Sequence, residues 1–420
     1  GVYLKQLSGS NVNVIVGRDN RLSSERLKQS LIQGLISVGC HVIDIDLCTS
    51  PIFYVAVIER QALGGVMVTG SHNPSEYNGF KIVGPEAAPI SGIDVADSVQ
   101  AKKFLESSGS YERDSIIEEY SARILQTLKL KRPIKVAVDT GNGVAGIVVP
   151  DVLRKLGCEV VEVFTELDGS FPNHLPNPEK EASLTELKKQ VIESGADLGL
   201  GFDGDGDRIG LVDEKGIYRE ADYITIMLAR DFLGRQPGSK VLIDVKTSQN
   251  TINDIKAHGG EPVLWKTGHS VVKRKMREDG ILLGGELSGH MFVFEDYYPI
   301  DDALYASCRL IQYLSQDVKS VSDHFFSLPR LYSTRLIEMP CADEIKFNVI
   351  EALQQDFKKL YGDVNTIDGV RVNFEHGWAI VRASNTTPNL TLRFEADSTE
   401  HLEEIKSTVL AHIKIYTSGE

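Results

Sequence analysis

At 420 residues the chain exceeds one ordinary hydrophobic core, and a length prior of about 150 residues per domain implies roughly three domains. Its 42% hydrophobic and 25% charged residues are those of a soluble globular protein, and no apolar run approaches the ~20 residues that span a bilayer. A formal net charge of −14 argues against nucleic acid or an anionic membrane as partner. Any anionic ligand therefore needs basic residues gathered locally. The N-terminus carries no signal-peptide pattern. Cys40, Cys48, Cys158, Cys308 and Cys341 are scattered without CxxC spacing, which reads as reduced core thiols in a cytoplasm.

Three stretches share one grammar. The first runs through a strand at 12–16, the polar Gly17-Arg18-Asp19, a helical period over 24–38, Gly39 and a strand at 42–45. The second has a strand at 134–138, then Asp139-Thr140-Gly141-Asn142-Gly143, a helix through Leu156, Gly157 and a strand at 160–163. The third has a strand at 241–243, then Asp244-Val245-Lys246-Thr247-Ser248, a helix to His258, Gly259-Gly260 and a strand at 262–265. Strand, polar turn, helix, glycine and strand imply parallel pairing with a right-handed crossover.

Each unit then supplies a further strand and a polar loop: 66–68 before Ser71, 197–202 before Asp203, and 281–283 before Glu286. Ligands of open α/β sheets gather at the carboxyl ends of strands, so three such loops converge if the units face one cleft. The last ~90 residues break the grammar, with strands at 332–337, 369–374, 378–381 and 390–394 and helices at 344–360 and 400–415. The expected fold is α/β: three consecutive similar domains with mixed, largely parallel sheets, plus a C-terminal α+β domain, around a central cleft. The expected boundaries are 1–115, 116–217, 218–328 and 329–420.

Four loops carry chemistry. In Thr69-Gly70-Ser71-His72-Asn73-Pro74 a serine sits on a tight turn at a strand end, with an imidazole beside it and Lys81 following; this is a nucleophile setting. Asp203, Asp205 and Asp207 alternate with glycine, so in an extended segment the three carboxylates point one way. They repel one another unless a cation sits among them, and an oxygen-only set suits Mg²⁺ or Ca²⁺. Two rival readings stay open. Glu214 falls at the twelfth position of an EF-hand loop, against Arg208 where that loop needs glycine. Asp203 could instead be the nucleophile of an aspartyl phosphotransferase.

Glu286, Ser288 and His290 alternate between glycines and suit the vicinal hydroxyls of a sugar. Lys266 and His269 lie on a turn after a strand, and His269 is a ligand or acid–base candidate. Arg382-Ala383-Ser384-Asn385-Thr386-Thr387-Pro388, with Arg393 beyond, combines hydroxyls, an amide and guanidinium groups into an anion cradle. Arg18 and Arg21 are either solvated or paired with Asp19.

Together these loops resemble the α-D-phosphohexomutase family. The motifs are T-G-S-H-N-P at 69–74, G-F-D-G-D-G-D-R at 201–208, G-E-L-S-G-H at 285–290 and R-A-S-N-T-T-P at 382–388. By that resemblance, Ser71 carries phosphate, and Asp203, Asp205 and Asp207 bind a Mg²⁺ that also touches Ser71 and its phosphate. Glu286 and Ser288 bind sugar hydroxyls, and Arg382, Ser384, Asn385 and Thr386 hold the phosphate that is not transferred. His72, Lys81, Arg208, Lys246, His269 and His290 line the reaction centre. The resemblance implies reversible transfer of phosphate between O1 and O6 of mannose or glucose phosphates, with Mg²⁺ and a glucose or mannose 1,6-bisphosphate activator. A cytoplasmic monomer or weak dimer is expected. A phosphoglucosamine mutase and a non-catalytic sugar-phosphate or divalent-cation binder are the alternatives. The family's usual Y-D-I-R-G stretch does not precede Val2, and Leu287 replaces a commoner methionine, a mild apolar swap.

Overall fold

The computed structural model of the protein describes residues 1–4, 12–92, 95–96, 107–384 and 387–417. Its first sheet contains β1 (Val12–Arg18), β2 (Cys40–Leu47), β3 (Gly64–Val68), β4 (Phe80–Val83) and β5 (Ser110–Arg113), in the order β4-β3-β1-β2-β5. The second contains β6 (Lys135–Asp139), β7 (Glu159–Val163), β8 (Leu198–Phe202), β9 (Ile209–Asp213) and β10 (Tyr218–Arg219), in the order β10-β9-β8-β6-β7. The third contains β11 (Lys240–Asp244), β12 (Glu261–Trp265), β13 (Leu283–Gly285) and β14 (Met291–Val293), in the order β12-β11-β13-β14.

One plan recurs in all three. The first strand of each unit lies between its second and third, parallel to both, and the third pairs with an antiparallel fourth. The chemistry-bearing loop of each unit is therefore the connection of a hairpin. The fourth strands escape the periodicity reading: Phe80–Val83 is short and mostly half-exposed. The helix Ser50–Glu59 escapes it too, because its residues 50–57 are all buried and a helix apolar all round shows no stripe.

The C-terminal sheet is antiparallel, with β15 (Tyr332–Ser333), β16 (Ile337–Pro340), β17 (Val364–Asn365), β18 (Val370–Phe374), β19 (Gly377–Ala383) and β20 (Asn389–Ala396). The single strand expected at 332–337 is two short ones, both paired with β20. The helices Asp343–Leu360 and Thr399–Thr417 cover the sheet.

One apolar core runs continuously through the first three units, through Phe53, Val138, Leu200, Ile226 and Leu304. The C-terminal sheet has its own core around Leu353, Val372, Phe394 and Val409. It docks on the loop after β11 through a small cluster of Val245, Trp378 and Ile380. There the Arg371 guanidinium donates to the carbonyls of Val245 and Thr247, both at 2.8 Å, and lies 3.8 Å over the Trp378 ring. All five cysteines are buried, and no disulfide joins any two of them among the described residues. Among the described residues, no helix is long and apolar enough to cross a membrane.

Candidate active site

Each unit begins its site with an aspartate at the end of its first strand. Asp19 Oδ1 accepts from Arg21 N at 3.1 Å, Asp139 Oδ1 from Gly141 N at 2.8 Å, and Asp244 Oδ1 from Lys246 N at 2.9 Å. Two of them also brace the neighbouring hairpin loop: Asp19 Oδ2 takes Gly70 N at 3.3 Å and Asp244 Oδ2 takes Leu287 N at 3.3 Å. The repeat was legible as three strands ending in aspartate. Its bracing role was not, because it joins segments distant in sequence.

Ser71 sits in the left-handed region, with φ 47°, an unfavourable conformation for a residue with a Cβ and one that concentrates at functional sites. Arg21 holds it there. Its buried guanidinium bonds Asp19 Oδ2 at 3.1 Å and donates to the carbonyls of Ser71 at 2.6 Å, Asn73 at 2.7 Å and Tyr77 at 3.0 Å. Of the two arginines left open by the sequence, Arg21 is therefore the one paired with Asp19, while Arg18 pairs with Asp46 and Glu25.

The Ser71 hydroxyl lies 2.9 Å from Asp203 Oδ2 and 3.3 Å from His72 Nδ1. The two loops meet so closely that a Cβ on Gly204 would come within 2.4 Å of the Ser71 carbonyl oxygen. Burial pushes His72 down to about 3, so the imidazole is neutral.

The carboxylates of Asp203, Asp205 and Asp207 converge as expected, with ligand atoms within 4.8 Å of one another, but not by alternation along a strand. The loop turns, with Gly206 at φ 74°, and Asp203 Oδ1 accepts from the N–H groups of Asp207 at 3.0 Å and Arg208 at 3.1 Å. Burial, reinforced by Asp205 and Asp207, pushes Asp203 well above the ordinary carboxylate range. Burial works against Asp205 and Asp207 as well, yet the Lys81 ammonium holds both below it.

Lys81 bonds Asp205 Oδ2 at 2.6 Å and also Asp207 Oδ2. The Oδ1 atom of Asp205 is buried without a hydrogen bond, and that of Asp207 has none shorter than its 3.4 Å approach to His290 Nε2. Buried carboxylate oxygens so poorly satisfied, in an all-oxygen set, fit a hard divalent cation. The EF-hand reading fails, since Glu214 turns away to bond Ser322.

One residue of this centre gave no sequence signal. Ser50, the first residue of the helix Ser50–Glu59, donates from its backbone to the Asp205 carbonyl at 2.8 Å. Its hydroxyl bonds Asp205 Oδ2 at 2.5 Å and accepts from Lys81 at 3.0 Å.

The third loop is tied to the second by backbone: Arg208 and His290 form a β-bridge, and Ile209 N donates to Gly289 O at 3.1 Å. Gly289, at φ 95°, leaves no room for a Cβ, which would meet Ile209 O at 2.6 Å. His290 Nδ1 lies 3.1 Å from both Glu286 Oε2 and Ser288 Oγ, and its Nε2 lies 3.4 Å from Asp207 Oδ1. Burial and the Arg208 charge oppose its protonation, but Asp207 and Glu286 win and raise it to about 9.

His269 stacks on His290 at 5.3 Å. Burial lowers its pKa, and Asp301 Oδ2 faces its Nδ1 at 3.2 Å. Lys273, one helical turn on, bonds the other Asp301 oxygen at 2.6 Å. Lys246 lies buried beside Asp244, with Nζ 3.4 Å from its carboxylate.

The C-terminal loop reaches this centre through Asp368. One carboxylate oxygen accepts from Thr267 N at 2.9 Å and pairs with the Arg382 guanidinium at 3.1 Å. Ser384 Oγ accepts from Thr387 N at 3.2 Å. Asn385 and Thr386 lie outside the described residues. Arg393 corrects the sequence expectation. It does not join Arg382 at the loop but is buried at the domain contact, paired with Asp222 at 3.3 Å and Glu220 at 2.6 Å. Arg382 stands on β19 and Arg393 on β20, and only the fold pairs Arg382 with Asp368 and Arg393 with Asp222 and Glu220.

Comparison with known proteins agrees with this arrangement. The chain matches four family domains in order: phosphoglucomutase/phosphomannomutase alpha/beta/alpha domain I over 1–105, domain II over 117–216, domain III over 220–332, and the C-terminal domain over 336–412. It is 44% identical to the phosphomannomutase/phosphoglucomutase of Pseudomonas aeruginosa, covering 97% of this chain and 88% of that protein. It is 39% identical to the phosphoglucomutase of Neisseria gonorrhoeae, over 96% and 88%. A crystal structure of a phosphoglucomutase/phosphomannomutase family protein from Burkholderia thailandensis superposes with a TM-score of 0.92 at 37% identity, covering 100% of this chain and 92% of that one. With four domains matched in order along a three-loop centre built on one repeated plan, the chain belongs to the phosphoglucomutase/phosphomannomutase family.

Proposed function

We propose that this chain interconverts the 1-phosphates and 6-phosphates of mannose and glucose through a phosphoserine at Ser71 and a hexose 1,6-bisphosphate. The observation that carries the reading is the Ser71 hydroxyl 2.9 Å from Asp203 of the triple-aspartate loop. That loop is itself bridged to the Glu286–His290 loop at Arg208 and His290.

A phosphoryl group on Ser71 can pass to the free hydroxyl of a bound hexose phosphate. The sugar O–P bond forms as the P–Oγ bond breaks, and Oγ leaves with the electron pair. The bisphosphate then turns over, and its other phosphate returns to Ser71 by the reverse step, so phosphate moves between O1 and O6 with no net consumption. Glu286 and Ser288 offer an acceptor and a hydroxyl to the ring hydroxyls. Arg382 and Ser384 face the phosphate that stays, and Arg382 suits it through paired N–H donors.

The proton of the attacking hydroxyl needs an acceptor. His269 is the candidate, since burial keeps it neutral and Asp301 orients its ring. His290, raised to about 9, is the matching cation. Titratable neighbours pushed apart in this way are the mark of acid–base assignment. Lys81, on Asp205 and Asp207, and Arg208, 4.0 Å from Asp203, add positive charge to the loop that meets Ser71, where negative charge gathers in transfer.

Mg²⁺ fits Asp203, Asp205 and Asp207, and when bound it neutralises the phosphoserine dianion and the charge that develops on the transferred group. A bisphosphate activator serves to phosphorylate Ser71 at the start. The test is a coupled assay with Mg²⁺ and glucose 1,6-bisphosphate on mannose 1-phosphate, glucose 1-phosphate and glucosamine 1-phosphate. Turnover of the first two supports the reading. Turnover of glucosamine 1-phosphate alone, or of none, overturns it.

A further inference from the structure

A second cluster of metal-ligating side chains lies at the far end of the C-terminal sheet. His376 is in the turn between β18 and β19, Asp397 follows β20, and His401 is in the first turn of the helix Thr399–Thr417. By strand rise, His376 is about 20 Å along the chain from Arg382. We propose that His376, Asp397 and His401 form a metal site for a borderline divalent transition ion, Zn²⁺ or Co²⁺, distinct from the hard-cation site at the triple-aspartate loop.

The donor atoms already converge. His376 Nδ1 lies 3.1 Å from Asp397 Oδ2, and His401 Nδ1 lies 2.5 Å from Asp397 Oδ1. One donor from each residue falls within 4.8 Å of the others. The two imidazoles stack almost parallel, with centroids 3.9 Å apart and an interplanar angle of 8°. A tetrahedral ion with Zn–N bonds of about 2.0–2.1 Å separates two nitrogen ligands by about 3.4 Å, and it lies in the plane of each imidazole, so both rings turn out of the parallel stack about their side-chain torsions to aim Nδ1 at one ion.

The backbone holds all three ligands in place. Asp397 N donates to the His376 carbonyl at 3.0 Å, and Gly377 pairs with Ala396 in the ladder. Ser398 caps the helix by accepting from His401 N at 3.1 Å and from Leu402 N at 3.0 Å. Binding therefore orders side chains and not main chain, which lowers its entropic cost.

The chemistry selects the ion. Two imidazoles and one carboxylate suit Zn²⁺, Co²⁺, Ni²⁺ or Cu²⁺, whereas Mg²⁺ demands oxygen ligands. The surroundings attract a cation, because Glu375, Asp363 and Glu395 line the same cavity as His376 and Asp397. Binding takes each Nδ1 lone pair, so the Nδ1 proton moves to Nε2 by exchange with solvent, or is released to solvent from a charged imidazole, and an Asp397 oxygen freed of its hydrogen bond becomes the third ligand. Three protein ligands leave a position for water. The ion would staple the β18–β19 turn to the start of the last helix.

The test is calorimetric titration of tag-free, chelator-treated protein with Zn²⁺ under saturating Mg²⁺, which masks the oxygen site. The wild type should bind one Zn²⁺ equivalent that the His376→Gln/His401→Gln double variant lacks and the Asp205→Asn variant keeps. Co²⁺ should give a d–d absorption band that the double variant also lacks, while Asp397→Asn weakens it without removing both imidazoles. An unchanged circular dichroism spectrum and unchanged Mg²⁺-dependent activity in the His376→Gln/His401→Gln and Asp397→Asn variants make the loss specific, and Asp205→Asn is checked for folding by circular dichroism alone. An unchanged Zn²⁺ equivalent in the double variant, or no Zn²⁺ binding by the wild type under Mg²⁺, overturns the proposal and leaves a hydrogen-bonded His–Asp–His cluster.

Discussion

The hydroxyl of Ser71 and a carboxylate oxygen of Asp203 stand 2.9 Å apart, across 132 residues of sequence and two separate sheets. If Ser71 carries the phosphate, Ser71→Ala removes the phosphate carrier and leaves the loop's backbone partners. Activity should fall by at least about 10³-fold, the scale of losing a covalent nucleophile. Intact-mass spectrometry after incubation with glucose 1,6-bisphosphate should show one phosphate on the wild type and none on the variant. Phosphate on a different peptide would reassign the carrier.

Ser50 donates to Asp205 Oδ2 and accepts from Lys81, so it orients one member of the metal loop. Ser50→Ala should weaken Mg²⁺ or Mn²⁺ binding by about five- to tenfold, the upper end of one net intramolecular hydrogen bond, since Ser50 acts on the metal through Asp205. Direct Mn²⁺ titration reads this without turnover, and Ser50→Thr should restore it. Equal affinity in all three would show that Ser50 only packs.

Arg21→Met would leave Asp19 buried without its cation and free the carbonyls of residues 71, 73 and 77. Breaking one side of a buried ion pair costs about 3–5 kcal/mol. Chemical denaturation should show a loss on that scale, and amides of residues 70–77 should exchange faster. A change below about 1 kcal/mol would mean that the Ser71 conformation holds without Arg21.

Arg382→Ala removes the guanidinium paired with Asp368, the group proposed to hold the phosphate that stays. KM for glucose 1-phosphate and mannose 1-phosphate should rise together, by about 10–100-fold, as for one lost charge-assisted pair. A rise for one sugar only would place Arg382 against the ring and not the phosphate.

Asp302 accepts from the hydroxyls of Tyr120 and Tyr297 and from Tyr305 N, and burial raises its carboxyl from 3.8 to about 6. A raised folded pKa means that its stabilising, neutral form is complete below about 4 and is lost as pH rises through 6. The difference of about two units corresponds to about 3 kcal/mol. Asp302→Asn should flatten the fall of stability between pH 4 and 6, measured by denaturant midpoints. An unchanged slope would assign that pH dependence to other groups.

Strand-ending motifs are local, and the sequence alone therefore determined most of the architecture. The periods of β1, β6 and β11, the glycines after their helices and the loops at 69–74, 203–208 and 285–290 all follow from neighbours within a few residues. The fourth strand of each unit and the helix Ser50–Glu59 stayed hidden, because strands of three to five residues, whether partly exposed like β4 or wholly buried like β9 and β14, and a wholly buried helix leave no period. Only the tertiary structure decided which residues act together. Arg21 under Ser71, Ser50 on Asp205, Asp301 behind His269 and Arg393 at the domain contact are joined by side chains from distant segments. Their hydrogen bonds and charges have meaning only in the low-dielectric space that the fold creates.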